Sequence, residues 1–336
     1  MGQVQRRKFL LTAGVLLVAP LAATAQQPPT KTARVGYLSP GDRYPVGGPG
    51  SRGWLLNVFM EGLRAHGWAE GQNLVIEYRF GGERYERLRA LADELVRLKV
   101  DVIFAAGAPA AQAAKEATST IPVVFSTLND PVRAGFVTSF AHPGGNMTGQ
   151  AGFGPELDRK RVELLKEVVP SISRAAVLVN PSNPMTPQRL TEVEATARDL
   201  KVQVGWMKAS DAKELEEAFQ AIVRARPAGL IVFEDPMLIA NRRRIVAFAA
   251  QQRIATIYTS SGWAEAGGLM EHAPNWRDMY LRAAAYVDRI LRGAKPSELP
   301  VEQPTKFELV INLKTAKALG LSIPKTVLFR ADRVIE

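Results

Sequence analysis

The chain has 336 residues, 46% of them apolar, with no cysteine and a formal net charge of +10 at pH 7. That length supports a large core and points to two lobes rather than one undivided core. The missing thiol excludes disulfides, thiolate metal sites, a cysteine nucleophile and a cysteine-linked lipid anchor.

Residues 1–25 read as a signal peptide that stands outside the fold. Arg6, Arg7 and Lys8 precede an apolar run from Phe9 to Leu21, and Ala23-Thr24-Ala25 forms a small-residue cleavage site. The run is too short for a typical membrane span. The stretch RRKFLL is similar to a twin-arginine export motif, although Gln5 stands where Ser or Thr is usual, so both export routes stay open. Removing those three bases lowers the charge from +10 to +7. The remaining bases are interleaved with acids, and only NRRRIVAF (241–248) is a tight basic cluster. A solvated helix face accounts for it, and nucleic acid is not an expected partner.

The mature chain then alternates short apolar runs with longer amphipathic ones. Strands are predicted at 33–38, 73–80, 101–106 and 121–127, with helices at 54–66, within 83–100 and at 109–118. In the 83–100 stretch, Leu88, Leu91, Ala92, Leu95 and Leu98 recur at spacings of three and four, which gives a helix one apolar face. A Gly/Pro-rich passage, AHPGGNMTGQAGFGPE (141–156), interrupts the rhythm. It restarts with helices at 156–169, 186–199, 211–225 and 237–251 and strands at 175–180, 202–207, 229–234 and 255–259. A further strand at 267–274, a long helix at 275–292, a linker at 293–304 and a short helix at 313–319 complete the chain. Strands bounded by helices in this way imply an α/β fold with parallel sheets covered on both faces.

Signatures of catalysis are thin. The chain lacks a G-x-S-x-G elbow, an H-E-x-x-H helix, a P-loop lysine and a dinucleotide glycine fingerprint. His66, His142 and His272 lie far apart without acidic neighbours at ligand spacing. No cofactor and no metal are expected. Polar residues instead collect just after the carboxyl ends of strands: Ser39, the Gly107-Ala108 turn, Asn129 and Asp130, Asn180 and Asn183, Glu234 and Asp235, and Tyr258 with Ser260 and Ser261. Ligands gather at such ends in doubly wound sheets, and helix caps use the same residue types. The stretch VIFAAGAPAAQAAKEA (102–117) places a strand–turn–helix there, whose first backbone amides suit an anion.

The mature chain resembles the TrpX-like family of ABC transporter substrate-binding proteins, with the type I periplasmic binding fold. The likeness rests on RVGYLSPG, EGLRAHGWAEGQNLVIEYRF, ERLRALADELVRLKVDVIFAAGAPAAQAAKEATSTIPVVF, NDPV, PGGNMTG, KRVELLKEVVP, AVLVNPSNP, EAGGLM and ELPVEQPTKFELVINLKTAKALGLSIP, and it runs from about residue 34 to the end. The resemblance implies two Rossmann-like lobes joined by three crossovers: 34–148 with 268–298 returning to it, and 149–267 with 300–330 returning to it. It also implies capture of a small amino-acid-like solute between the lobes of a periplasmic, monomeric protein. Delivery would be to a membrane permease served by a separate ATPase. A sensing module for a membrane receptor and a secreted hydrolase are the competing readings. Carried onto this sequence, the ligand-binding set is Ser39, Gly107, Ala108, Asn129, Asp130, Asn180, Asp235, Tyr258 and Glu265, with no catalytic residue. Asp130, Asp235 and Glu265 are the expected partners of a ligand ammonium, and Phe153, Phe233, Tyr258 and Trp263 the expected cover for its apolar part. Relatives often carry a hydroxyl residue where this chain has Ala108, which leaves the amides of residues 110 and 111 to hold an anion.

Overall fold

A computed structural model describes residues 32–42, 52–128, 130–152, 154–184 and 186–336. The signal-peptide expectation for 1–25 and the expected roles of Asn129 and Phe153 fall outside the described residues. Residues Thr32–Glu336 form one compact unit.

The first sheet contains β1 (Ala33–Ser39), β2 (Leu74–Phe80), β3 (Val102–Ala106), β4 (Val123–Thr127) and β5 (Met147–Ala151), in the order β2-β1-β3-β4-β5, every pair parallel. Strands β3, β4 and β5 are buried at every residue; β3 and the start of β4 read as apolar runs, whereas β5 (MTGQA) lies in the Gly/Pro-rich passage where no strand was expected. Helices α1 (Arg52–Ala65), α2 (Leu88–Arg97) and α3 (Ala108–Ala117) cover this sheet. Gly149 permits the close approach of β5 to β4: its φ is +143°, and a Cβ there would lie 2.1 Å from the Phe125 carbonyl oxygen.

The second sheet takes β6 (Arg174–Val179), β7 (Gln203–Lys208), β8 (Gly229–Val232), β9 (Ala255–Tyr258), β10 (Met270–Pro274), β11 (Phe307–Asn312) and β12 (Arg333–Ile335). Its order is β12-β11-β10-β9-β8-β6-β7, parallel except at β10–β11. Within it, β7-β6-β8-β9-β10 repeats the strand order of the first sheet, so the two units share one topology without sharing a residue-level repeat. The helices here are α4 (Gly154–Val168), α5 (Thr186–Asp199), α6 (Ala212–Ala225), α7 (Pro236–Ala240) and α8 (Arg242–Gln251). The chain then adds α9 (Trp276–Leu291), α10 (Leu313–Leu319) and α11 (Lys325–Phe329).

The chain passes between the sheets after β5, after β10 and before β11. Strand β10 was expected in the segment returning to the first lobe, and its pairing corrects this. Met270 and Glu271 pair with Ile257 and Tyr258 of β9 in the second sheet, and the return begins only at α9. Helix α9 carries Met279, Tyr280, Ala283 and Val287 on one face, and these join the core around Phe59 and Phe104 under the first sheet. The expected helix 237–251 is two helices, because Asn241 ends α7 and opens α8. Within 83–100 the α-helix covers only Leu88–Arg97, and a single 3₁₀ turn at Tyr85–Arg87 leads into it.

Candidate functional site

In both sheets the strand order reverses beside the first strand of the unit, between β1 and β3 and between β6 and β8. At such a switch point, successive loops leave in opposite directions and a crevice opens at the carboxyl ends. The two crevices contribute to one cavity with about 1000 Å³ of empty space, open solvent at its mouth included.

The wall from the first unit is apolar and aromatic. Tyr37 and Ser39 from β1, Leu55 from α1, Ala106 to Pro109 from the β3–α3 turn, Thr127 and Leu128 after β4, and Trp276 and Tyr280 from α9 line it. Tyr37 packs on Phe104 with ring centroids 5.5 Å apart, and Trp276 meets Tyr280 edge-on at 6.3 Å. Gly107 adopts φ +97° to turn the chain from β3 into α3, and no side chain caps that helix. One of the two amides expected to hold an anion is already used, since Ala111 N donates to Gly107 O at 3.0 Å.

The wall from the second unit is charged and closely hydrogen-bonded. It is formed by Asn180 and Asn183 after β6, Thr186 and Arg189 from α5, Phe233 to Pro236 after β8, and Ser260 and Ser261 after β9. Asp235 is the hub. Its Oδ1 accepts from Asn180 Nδ2 at 3.1 Å and from Met237 N at 2.9 Å, while Oδ2 accepts from Asn183 Nδ2 at 3.0 Å and from Tyr85 Oη at 2.5 Å. Tyr85 belongs to the first unit, so this last bond ties the two walls together. A weaker link, Arg133 to Glu192 at 4.0 Å, joins the units at the surface.

Behind Arg189 lies a buried ionic cluster. Arg189 Nε and Nη2 donate to Asp158 at 2.8 and 2.7 Å, and Arg161 Nη1 donates to the same carboxylate at 2.6 Å. Burial alone would raise the Asp158 carboxyl, but the pull of Arg189 and Arg161 together holds it below the usual carboxylate range. Burial lowers Arg161 to about 10. Arg189 moves the other way, because Asp158 and Glu234 outweigh its burial. The Arg189 guanidinium also stacks on Phe233 at 3.7 Å from the ring centroid.

Of the sequence-predicted set, Ser39, Gly107, Ala108, Asn180 and Asp235 line the cavity together. The other described members do not line it. Tyr258 is fully buried in the second core, stacked on Trp263 with centroids 4.4 Å apart. Glu265 pairs with Arg333 at the surface. The Asp130 carboxylate accepts from Val132 N at 2.9 Å and Arg133 N at 3.2 Å, capping the next turn. Of the expected aromatic covers, Phe233 lines the cavity, and Trp263 belongs to the core. Sequence reasoning missed Tyr37, Tyr85, Arg189, Trp276 and Tyr280. It also missed Arg161, for which a signal existed: Arg161 lies four residues from both Leu157 and Leu165, on the apolar stripe of α4. Among the described residues, no group of three or more His, Cys, Asp or Glu side chains is placed to hold a metal ion.

Paired α/β units whose strand ends share one cavity define a ligand-binding protein of the type I periplasmic fold. A family model for ABC transporter substrate binding proteins matches residues 48–335, and the chain belongs to that family. It is 26% identical over 263 residues to the tyrosine-binding protein of Clostridioides difficile strain R20291, spanning 78% of this chain and 75% of that one. A crystal structure of a conserved domain protein from Vibrio cholerae superposes with a TM-score of 0.83 at 27% identity, covering 90% of this chain and all 100% of that one. An ABC domain from Streptococcus pneumoniae in complex with L-Trp shares the fold at a TM-score of 0.79 and 23% identity, over 91% of this chain and 100% of that one.

Proposed function

We propose that this protein captures an amino-acid-like solute with an aromatic side chain between its two units and delivers it, outside the cytoplasm, to the permease of an ABC importer. The observation that carries this reading is the composition of the cavity, with aromatic rings on one wall and a buried guanidinium and carboxylates on the other. An aromatic ligand body stacks on such rings, and its polar end meets groups already held in place. The names of the tyrosine-binding relative and of the L-Trp complex point to the same class.

Binding involves no bond made or broken. The ligand shifts the equilibrium toward the form in which the units close on it, and the Tyr85–Asp235 hydrogen bond belongs to that closed form. Thermal denaturation of the purified protein against a panel of amino acids tests the ligand class. A true ligand present at a hundredfold over its Kd stabilises by about 2.7 kcal/mol. A panel in which aromatic amino acids give no shift while other solutes do would refute the aromatic assignment. Loss of labelled-solute uptake on deleting the gene tests import, and cell fractionation tests location.

A further inference from the structure

We infer that Arg189 and Glu234 form a two-ended clamp for a zwitterion: Arg189 receives the ligand α-carboxylate and Glu234 its α-ammonium. The inference rests on the amino-acid reading above and assigns its polar end to residues.

Arg189 is built for this. Two of its nitrogens are held by Asp158 at 2.8 and 2.7 Å, and its plane lies on Phe233, so the guanidinium has a single orientation. Its side chain is only 9% exposed, it lines the cavity, and its Nη1 has no acceptor among the described residues. A planar guanidinium fixed in this way presents a directed donor to a carboxylate.

Charge balance points the same way. Two buried guanidinium groups, Arg161 and Arg189, are balanced by two carboxylates, Asp158 in direct contact and Glu234 at the cavity wall, so a ligand that adds one charge of each sign leaves that balance unchanged. A buried charge demands a counter-charge. Glu234 lines the same cavity and attracts both Arg161 and Arg189. An ion carrying both signs on one carbon satisfies this arrangement better than a simple anion or a simple cation, because each end meets its opposite.

The test is calorimetric titration of the full chain with L-tyrosine, tyramine, which lacks the carboxylate, and 3-(4-hydroxyphenyl)propionate, which lacks the ammonium. Arg189→Gln leaves Asp158 paired with Arg161 and is expected to weaken L-tyrosine and the propionate by about 10- to 100-fold, with tyramine unchanged within twofold. Glu234→Gln is expected to do the reverse: L-tyrosine and tyramine weaken while the propionate holds. Arg189→Lys keeps the buried charge and serves as the second variant, with a smaller loss of the same selectivity; ligand-free melting checks that each variant folds. Wild-type binding that Arg189→Gln leaves intact, or weakens equally for all three probes, overturns the clamp alone. A wild type that binds none of the three, and neither L-tryptophan nor L-phenylalanine, overturns the aromatic amino-acid reading and the clamp with it.

Discussion

The two walls of the cavity solve different problems. The wall from the first unit offers shape: Tyr37, Trp276, Tyr280 and the small residues of the 106–109 turn make a surface with few fixed charges. The wall from the second unit offers charge: Asp158, Arg161, Arg189 and Asp235 are all buried and all hydrogen-bonded. On the function proposed above, a closing cleft divides recognition between its halves, with apolar contact from one side and pre-oriented ions from the other. The contrast also implies that the second wall is costly to disturb, since each buried ion is the partner of another.

The predictions probe that asymmetry. The largest effect is expected from Asp158→Ala, which leaves two buried guanidinium groups without their carboxylate. Unfolding in denaturant is expected to show a loss of about 3–5 kcal/mol. A loss below 1 kcal/mol would mean the cluster is not the pillar of the second wall.

The second unit also sets pH dependence through neighbouring residues of β10. Burial raises the Glu271 carboxyl to about 7 and lowers the His272 imidazole to about 3. Glu271 has a folded pKa above its unfolded value, so its contribution is fully present below about pH 4.5 and is lost as pH rises through about 7. His272 has a depressed folded pKa, so its contribution is present above about pH 6.5 and is lost as pH falls toward 3. Glu271→Gln is therefore expected to raise stability at pH 8 by up to about 3 kcal/mol and to change it little at pH 4. Melting curves at the two pH values check this, and equal shifts at both would refute it.

Asp235→Ala is expected to cost about 2–3 kcal/mol, because Asn180 and Asn183 lose a buried acceptor. Chemical denaturation measures that cost, and ligand titration on the same variant reads any accompanying loss of binding. Tyr85→Phe removes the hydroxyl that donates to Asp235 across the walls and is expected to weaken closure by about 1.5 kcal/mol, seen as a roughly tenfold loss of ligand affinity with the melting temperature of the ligand-free protein nearly unchanged. The smallest effect belongs to Arg133→Ala. Its 4.0 Å ion pair with Glu192 is solvent-exposed, and its removal is expected to change affinity by less than about 0.5 kcal/mol in the same titration.

Much of the architecture was legible because its signals are local. The apolar runs that became β3 and β4 and the small-residue turn at Gly107 each stand in a stretch of a dozen residues. Strand-end polar residues located Ser39, Asn180 and Asp235 at the cavity, since parallel strands bring their carboxyl ends to one side. Tyr258 also stands at a strand end and does not line the cavity. It is the last residue of β9, but it stacks on Trp263, and the tight Gly268 turn closes over it with a Cβ position 2.4 Å from its ring. Glu265, expected from the family resemblance, does not line the cavity, and Arg333, 68 positions away, pairs with it at the surface.

By itself, the sequence determined the α/β rhythm, the two units and the ends of the strands at which a ligand would gather, because periodicity and turn chemistry act over a few residues. Only the tertiary structure decided that α9 lends Trp276 and Tyr280 to the aromatic wall, that Arg189 is fixed by Asp158 from another helix, and that Tyr85 reaches Asp235 across 150 positions. Those pairings depend on which faces meet when two sheets and their crossovers pack, and no short stretch of chain encodes that meeting.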